Sequence, residues 1–138
     1  MRKLCLLLVV CLLAASTASA QIANFTGTWK NTNAATRGIV KLTVTGTMPI
    51  LSIRVWGACH PNPCDWGKNK AYAYGPDVST NPVKAATAVT SIYNTKFSQT
   101  ILVLTVNPTG LQVSSYTRFT DGSGRFAYTS TEQFVKVP

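Results

Sequence analysis

The sequence is poor in acidic residues and in histidine, with four Asp plus Glu and one His among 138 residues. General acid–base catalysis needs two positioned groups with matched pKa values, and metal sites need several His, Cys or carboxylate ligands. The four acids, Asp65, Asp77, Asp121 and Glu132, are far apart along the chain. We therefore expect a protein that is not an enzyme and that holds neither a metal nor another cofactor.

After the first twenty residues the sequence also lacks a long apolar run and a block of like charge. A membrane-spanning helix needs about 20 apolar residues, so no membrane span is expected. After residue 20, 11 of the 13 Lys and Arg residues remain, and none is adjacent to another, whereas nucleic-acid patches are typically runs of roughly five to eight basic residues. A scattered positive excess favours an anionic extracellular polymer or mineral surface as the partner, and not nucleic acid.

The first twenty residues have the parts of a secretory signal peptide. Arg2 and Lys3 form a positive start, an apolar run follows, and Ala18-Ser19-Ala20 is a small-x-small cleavage site. The apolar run is about 12 residues long, which is too short to span a bilayer. We expect cleavage after Ala20, an extracellular location, and a single domain over residues 21–138.

Cleavage would leave two of the four cysteines, Cys59 and Cys64, and would lower the formal charge from +9 to +7 by removing two cations. In an oxidising compartment an isolated close pair predicts a disulfide. The six-residue loop also contains His60, but a zinc site here would lack a second pair of ligands, and a bonded cysteine is not a nucleophile. We interpret the segment as a rigid hairpin loop braced by prolines.

Two further features are typical of modification sites in exported proteins. Asn24 begins the N-glycosylation sequon Asn24-Phe25-Thr26. Serines and threonines in polar segments, such as Ser79 and Ser123, are candidate phosphate acceptors. The sequence therefore predicts a glycoprotein and phosphoprotein where the host performs these modifications.

Short segments rich in Thr, Val, Ile, Tyr and Phe alternate with turns rich in Gly, Pro, Asn and Asp. No segment has a sustained 3.6-residue apolar period, although residues 83–89 could start a helical turn. Eight short strands predict an all-β antiparallel meander. A closed, avidin/calycin-like eight-stranded barrel is favoured because closure removes exposed edges, and a β-sandwich is the alternative. The predicted strands are Phe25–Lys30, Arg37–Thr45, Ile50–Gly57, Lys68–Tyr74, Val83–Asn94, Gln99–Val106, Leu111–Phe119 and Arg125–Val137.

Alternation along each strand assigns side chains to the inside or the outside of the barrel. In the second strand Ile39 is predicted to point outward. The strand Gln99–Val106 is apolar on both faces, which predicts that a partner chain or the chain's own ends cover it and that it forms a homo-oligomer. The core rows of the second and third strands are predicted to be Val40, Leu42 and Val44, and Leu51, Ile53 and Val55.

The segment Gly27-Thr28-Trp29-Lys30-Asn31 resembles the first strand of avidin-like barrels, which reads Gly-Thr-Trp-x-Asn, and lipocalins also begin with Gly-x-Trp. The resemblance implies a calycin-type barrel in which Trp29 closes one end and Asn31 matches a biotin-contacting Asn. Ala35 stands where avidins have a serine, and no tryptophan follows Trp66. The resemblance therefore implies the barrel and not a biotin site.

The pattern Trp-Gly-x-Cys-His-Pro-x-x-Cys-Asp-Trp-Gly, over residues 56–67, resembles one found in small secreted or lipoprotein domains that have no assigned function. The profile of export, small size and basic charge is similar to that of scleritin-type organic-matrix proteins of coral sclerites. The motif implies only a common fold, whereas the profile implies an extracellular structural protein.

Two sets of residues are the candidate sites. Outward cations interleaved with aromatic rings can bind anionic polymers or sugars. An eight-stranded barrel is also just wide enough to hold one small ligand. The candidate surface consists of Lys41, Arg54, Trp56, Tyr116 and Arg118, and the candidate barrel mouth consists of Trp29, Asn31, Tyr72, Tyr74 and Tyr93.

We therefore expect a secreted, non-enzymatic protein that is a structural component of an extracellular organic matrix and interacts with anionic polymers or surfaces. The matrix of a biomineral is one such matrix. The alternative is a small-ligand-binding protein of the calycin type, with a small molecule inside the barrel.

Overall fold

The computed structural model describes residues 20–48 and 50–138. The predicted signal peptide lies outside the described residues, apart from Ala20. A short 3-10 helix, Ile22–Asn24, precedes eight strands, each antiparallel to the next, and the last strand pairs with the first. The strands are β1 (Gly27–Asn31), β2 (Ile39–Thr47), β3 (Ile50–Gly57), β4 (Cys64–Tyr74), β5 (Ala88–Asn94), β6 (Ser98–Asn107), β7 (Gly110–Phe119) and β8 (Tyr128–Val137).

The predicted fold class is confirmed, because the sheet closes into one eight-stranded antiparallel meander barrel and not into a sandwich. Each predicted strand is present. Ile50–Gly57 has the predicted ends, and the other seven strands have shifted ends. β5 begins at Ala88 instead of Val83, because the amides of Lys84 and Ala85 donate to the carbonyl of Asn81 in a helical turn. Within the described residues there is no helix long and apolar enough to cross a membrane.

One predicted core position is wrong. The pairing of β2 with β3 is interrupted by a bulge between Ile39 and Lys41. A bulge places two residues of one strand opposite one of its partner, so the alternation shifts. As a result Ile39 lies inside, 2 % exposed, and Val40 is only half-buried on the outside. The other predicted core rows are inside and fully buried, namely Leu42, Val44, Leu51, Ile53 and Val55.

One end of the barrel is apolar and closed. Trp29 is buried there, and its indole Nε1 donates to the carbonyl of Phe25 at 2.9 Å. Phe25 itself is fully buried. The segment that precedes it is tied to the β4–β5 connection, because the amide of Ile22 donates to the carbonyl of Val83 at 3.2 Å. The start of the domain thus plugs the apolar end.

The opposite end of the barrel interior is polar. Its inward positions carry small hydroxyl and amide side chains that pair with each other or with the backbone, as Thr100 and Thr117 do at 2.9 Å. Among the described side chains, no buried nitrogen or oxygen lacks a hydrogen-bond partner. Four connections surround this end: 32–38, 58–63, 95–97 and 120–127. The buried polar side chains are Asn31, Ser91, Ser98, Thr100 and Thr117.

Two neighbouring residues of β3 test which side chains point into the barrel and which point outward. Leu51 is 1 % exposed and Ile50 is 77 % exposed. We expect Leu51→Ala to lower the free energy of unfolding by about 2–5 kcal/mol, because it leaves a cavity in the barrel interior. Ile50→Ala, a surface substitution, should change it by less than about 0.5 kcal/mol. Equal effects in a denaturant titration would contradict this assignment of faces.

Candidate functional site

The outer surface of β1–β4 displays five cations and one tryptophan, which we call the cationic face. Outward positions follow from the inward ones, because side chains alternate along each strand. The face lies on the opposite side of the barrel from β6 and β7, since the strands are ordered sequentially around it. Its members are Lys30, Lys41, Arg54, Trp56, Lys68 and Lys70.

The register of the sheet places like charges of this face directly opposite one another. Lys30 is the partner of Lys41 across β1 and β2, and Arg54 is the partner of Lys68 across β3 and β4. Like charges at directly opposite positions destabilise a sheet. The opposition of Lys30 to Lys41 therefore costs stability, which a surface needed only for solubility could avoid by staggering its cations. In the second pair the ion pair of Arg54 with Asp65 offsets part of this cost.

Trp56 lies within the cationic face as an aromatic platform. The ammonium nitrogen of Lys41 is 4.0 Å from the centre of the indole, and the guanidinium carbon of Arg54 is 5.3 Å from it. Both distances are within the range of cation–π attraction. A groove of about 470 Å³ runs beside the ring. It is lined by Lys30, Val40, Lys41, Trp56, Pro63 and Val137.

Asp65 supplies a negative charge at the edge of the cationic face. Its carboxylate accepts two bonds from the Arg54 guanidinium Nε, at 3.1 and 3.2 Å, and one from the guanidinium Nη2. The amide of Gly67 donates to it at 2.9 Å. These donors, Arg54 first, lower the pKa of Asp65 from its ordinary value of 3.8. Asp65 therefore stays charged and orients Arg54 beside the indole.

The predicted surface set is divided between two sides of the barrel. Lys41, Arg54 and Trp56 lie together on the cationic face, whereas Tyr116 and Arg118 face outward from β7 on the other side. The Arg118 guanidinium donates to the side-chain oxygen of Gln99 at 2.9 Å. Both groups point outward as predicted, but they cannot contact the same small segment of a ligand.

The polar end of the barrel contains a second candidate site, which we call the mouth. Glu132 lies at its base and accepts hydrogen bonds from Asn31 Nδ2 at 2.9 Å, from the Thr36 hydroxyl, and from the amide of Ile39 at 3.3 Å. A methyl group on Gly38 would approach a Glu132 oxygen to 2.7 Å, so a larger residue at this position would displace the carboxylate. The carboxylate is thus held by three donors, one each from β1, the β1–β2 connection and β2.

The mouth encloses a cavity of about 420 Å³. Two hydroxyl pairs project into it from neighbouring strands, Thr100 with Thr117 and Ser115 with Ser130. Hydroxyls can rotate to donate or to accept, so the wall can adapt to either kind of group. The remaining lining residues are Thr36, Arg37, Gly38, Ile39, Trp66, Tyr128 and Glu132.

Trp66 forms the aromatic wall of the mouth. Its ring meets Tyr93 edge-on with centroids 5.8 Å apart, and a methyl group on Gly57 would lie 2.6 Å from the indole nitrogen. The Tyr93 hydroxyl donates to the carbonyl of Ile53 at 2.6 Å. Burial raises the pKa of Tyr93 above its ordinary value of 10, so the hydroxyl remains a donor. Trp66 therefore rests on a fixed support.

The structure separates the predicted mouth residues. Asn31 lies in the mouth, Tyr93 packs against the Trp66 wall of the mouth, and Trp29 lies in the apolar half of the barrel. Tyr72 and Tyr74 are outside and exposed, because Ala71 and Ala73 take the inward positions of β4.

Several mouth residues were not identified from the sequence. Extending the alternation of Leu111 and Val113 along β7 would have placed Ser115 and Thr117 inside. No local pattern relates Glu132 to Asn31, which is 101 residues earlier in the chain.

The predicted cysteine loop is confirmed as a disulfide. Cys59 and Cys64 are bonded, with Cα atoms 5.4 Å apart, and the loop between them borders the polar end of the barrel. In the described part of the chain, no three His, Cys, Asp or Glu side chains are grouped as metal ligands. Asn24, the predicted glycosylation site, is exposed.

Comparison of the chain with protein-family models, with curated proteins and with solved structures finds no match in any of the three. The resemblances of the first strand and of the cysteine loop therefore stay predictions. The fold establishes a small closed β-barrel, a class that carries many functions. The function has to be argued from the two sites.

The Arg54–Asp65 pair gives a test of the charge arrangement. We expect Arg54→Gln to raise the pKa of the Asp65 carboxyl towards 3.8, because the largest cause of its lowering is removed. An NMR titration of the side-chain carboxyl measures this pKa. The stability that the ionised pair contributes is present above about pH 4 and is lost as the pH falls through the lowered pKa. Lys84→Gln removes the same charge near the apolar end and should leave Asp65 unchanged. An unaltered pKa in Arg54→Gln would contradict the pairing.

Proposed function

We propose that this chain is a non-enzymatic protein that acts outside the cell, where its cationic face binds anionic polymers of an extracellular matrix. The polymer would be a sulfated or carboxylated polysaccharide, of the kind found in matrices that include those of biominerals. The observation that carries the proposal is the opposition of Lys30 to Lys41 and of Arg54 to Lys68 on one side of the barrel.

An anionic chain lying across the cationic face would relieve the repulsion between these cations. The cations of this face lie in rows that cross neighbouring strands, and these strands are about 4.8 Å apart. A flexible polyanion with a charge on each repeating unit can therefore contact several cations at once. Trp56 supplies a flat apolar surface between the ammonium and guanidinium groups, on which a sugar ring can lie.

The chemistry of the face favours polymers over free divalent metal ions. A calcium site needs six to eight oxygen ligands, mainly carboxylates, and Asp65, the acid of this face, is engaged by Arg54. Any contact with a mineral would therefore run through anions of the mineral or through anionic polymers attached to it.

Binding to dextran sulfate tests the proposal, with uncharged dextran as the control ligand. We expect the double variant Lys30→Gln with Lys41→Gln to bind roughly 30-fold more weakly, since a lysine near an anionic surface contributes about 1 kcal/mol. Its free energy of unfolding should stay the same or rise, because a repulsive pair is removed. Isothermal titration calorimetry and a denaturant titration measure the two quantities.

The matched control is Lys84→Gln with Lys96→Gln, which removes the same charge from two exposed loops. We expect its loss of affinity to be several-fold smaller. Equal losses in the two double variants would show that only the net charge matters. Failure of the wild-type chain to bind dextran sulfate at low salt would overturn the proposal.

A second candidate function is small-ligand binding in the mouth, favoured by the cavity of about 420 Å³ at the polar end. The rotatable hydroxyls fit a ligand with both donors and acceptors, and Trp66 fits a flat apolar part. Glu132 already accepts from three groups of the chain, so it orients Asn31 and Thr36 and does not need a cation.

Native mass spectrometry of the protein purified from its own source, without refolding, tests this second candidate. We expect one small molecule per chain, and roughly tenfold weaker binding in Thr117→Val, which removes a hydroxyl from the cavity wall. Thr129→Val, on the outer face of β8, should bind as the wild type does. A bare chain, or a bound mass unaffected by Thr117→Val, would argue against the mouth as the binding site.

A further inference from the structure

The outer surface of β5–β8 differs from the cationic face in almost lacking charge. Arg118 is its one cation among the described residues, and its guanidinium is engaged by Gln99. The other outward residues are small polar or apolar, and we call this surface the uncharged face. Its members are Thr90, Ile92 and Asn94 of β5, Gln99, Ile101, Val103 and Thr105 of β6, Gln112, Ser114, Tyr116 and Arg118 of β7, and Thr129, Thr131 and Gln133 of β8.

An apolar row crosses the uncharged face. Ile92 pairs with Ile101, and Ile101 pairs with Tyr116, so the three side chains are adjacent on neighbouring strands. They are 49 %, 39 % and 51 % exposed. No described segment of the chain covers them, which sets aside the expectation that the chain's own ends cover β6. A contiguous apolar row on an otherwise polar surface marks a contact site.

A groove and a projecting ring lie side by side at the edge of this row. The groove has a volume of about 320 Å³ and includes Ile101, Tyr116 and Tyr128 in its walls. Phe126, two residues before Tyr128, is 92 % exposed. The ion pair of Asp121 with Arg125, at 2.7 Å, braces the connection that carries it. The same small region thus presents both an aromatic side chain and a space that accepts one.

We propose that two copies of this chain associate through their uncharged faces, with Phe126 of each copy inserted in the groove of the other. A twofold interface requires a patch that complements itself, and a ring next to its own receiving groove meets that condition. Charge selects the same face, because the cationic faces of two copies would repel each other. The one cation among the described residues of the uncharged face, Arg118, lies in the wall of the groove, so a second copy meets less repulsion there than at the cationic face.

The dimensions of the face predict a weak dimer. Four strands about 4.8 Å apart and about nine residues long give a patch of roughly 20 by 30 Å. Because the face curves around half of the barrel, two such patches bury at most on the order of 1,200 Å², at the lower limit of stable interfaces. We therefore expect a dissociation constant on the order of micromolar.

The dimer would present its two cationic faces in opposite directions, because β1–β4 and β5–β8 occupy opposite sides of the barrel. It could then bridge two polyanion chains. This consequence, unlike the dimer itself, rests on the proposed function.

Sedimentation velocity of the purified chain over a concentration series tests the dimer. We expect wild type to change from monomer to dimer as the concentration rises, and Phe126→Ser and Ile101→Lys to require at least tenfold higher concentrations. Ser52→Lys adds the same charge on the outside of β3 and should dimerise as the wild type does. Phe126 is almost fully exposed, so its replacement leaves the barrel intact even if Ile101→Lys impairs folding.

A wild-type chain that stays monomeric at millimolar concentration would overturn the proposal. A dimer that persists unchanged in Phe126→Ser would overturn it too, since another surface would then mediate association. Turbidity with dextran sulfate separates the two proposals. A dimer that binds no polymer would refute the proposed function and support the interface. A monomer that binds the polymer would support the proposed function and refute the interface.

Discussion

The pairing of β1 with β8 is the constraint on which the rest of the structure depends. β1 has five residues, Gly27–Asn31, and it is hydrogen-bonded to β2 on one side and to β8 on the other. Closure removes the sheet edges that could otherwise pair with another chain. It also gives each strand one row of side chains inside and one outside, so the interior and the surface can carry different chemistry.

Closure organises the interior as a filled half and an open half. An eight-stranded barrel is narrow enough for large side chains to fill it. Phe25 and Trp29 fill the apolar end, whereas serine and threonine hydroxyls line the other end and leave a cavity. The apolar half supplies the burial that stabilises the fold, and the polar half remains available for a ligand. Because Glu132 is bonded to Asn31, the pairing of β1 with β8 that closes the barrel also forms the base of the mouth.

On the outside of the barrel, the cations lie mainly on β1–β4, and the outer surface of β5–β8 is almost uncharged. The cationic face opposes like charges across strands, with an electrostatic penalty for folding. The uncharged face opposes apolar and hydroxyl side chains, which favour contact between surfaces. Staggering the same cations would remove the repulsion between directly opposite charges and would also remove the cationic face. Stability and recognition thus place opposing demands on the same set of lysines and arginines.

The sequence by itself determined the eight strands, the meander, the core row of β3 and the bonded pair Cys59–Cys64, because turn residues, alternation and cysteine spacing are local patterns. It did not reveal the bulge at Ile39, since a single extra residue leaves no mark in the composition. Nor did it show that Glu132 contacts Asn31, or that Tyr116 and Trp56 lie on opposite sides of the barrel. Alternation distinguishes inside from outside but does not say towards which side of a closed barrel an outward residue points. Only the register of strands distant in sequence decided that, and with it the mouth, the cationic face and the uncharged face.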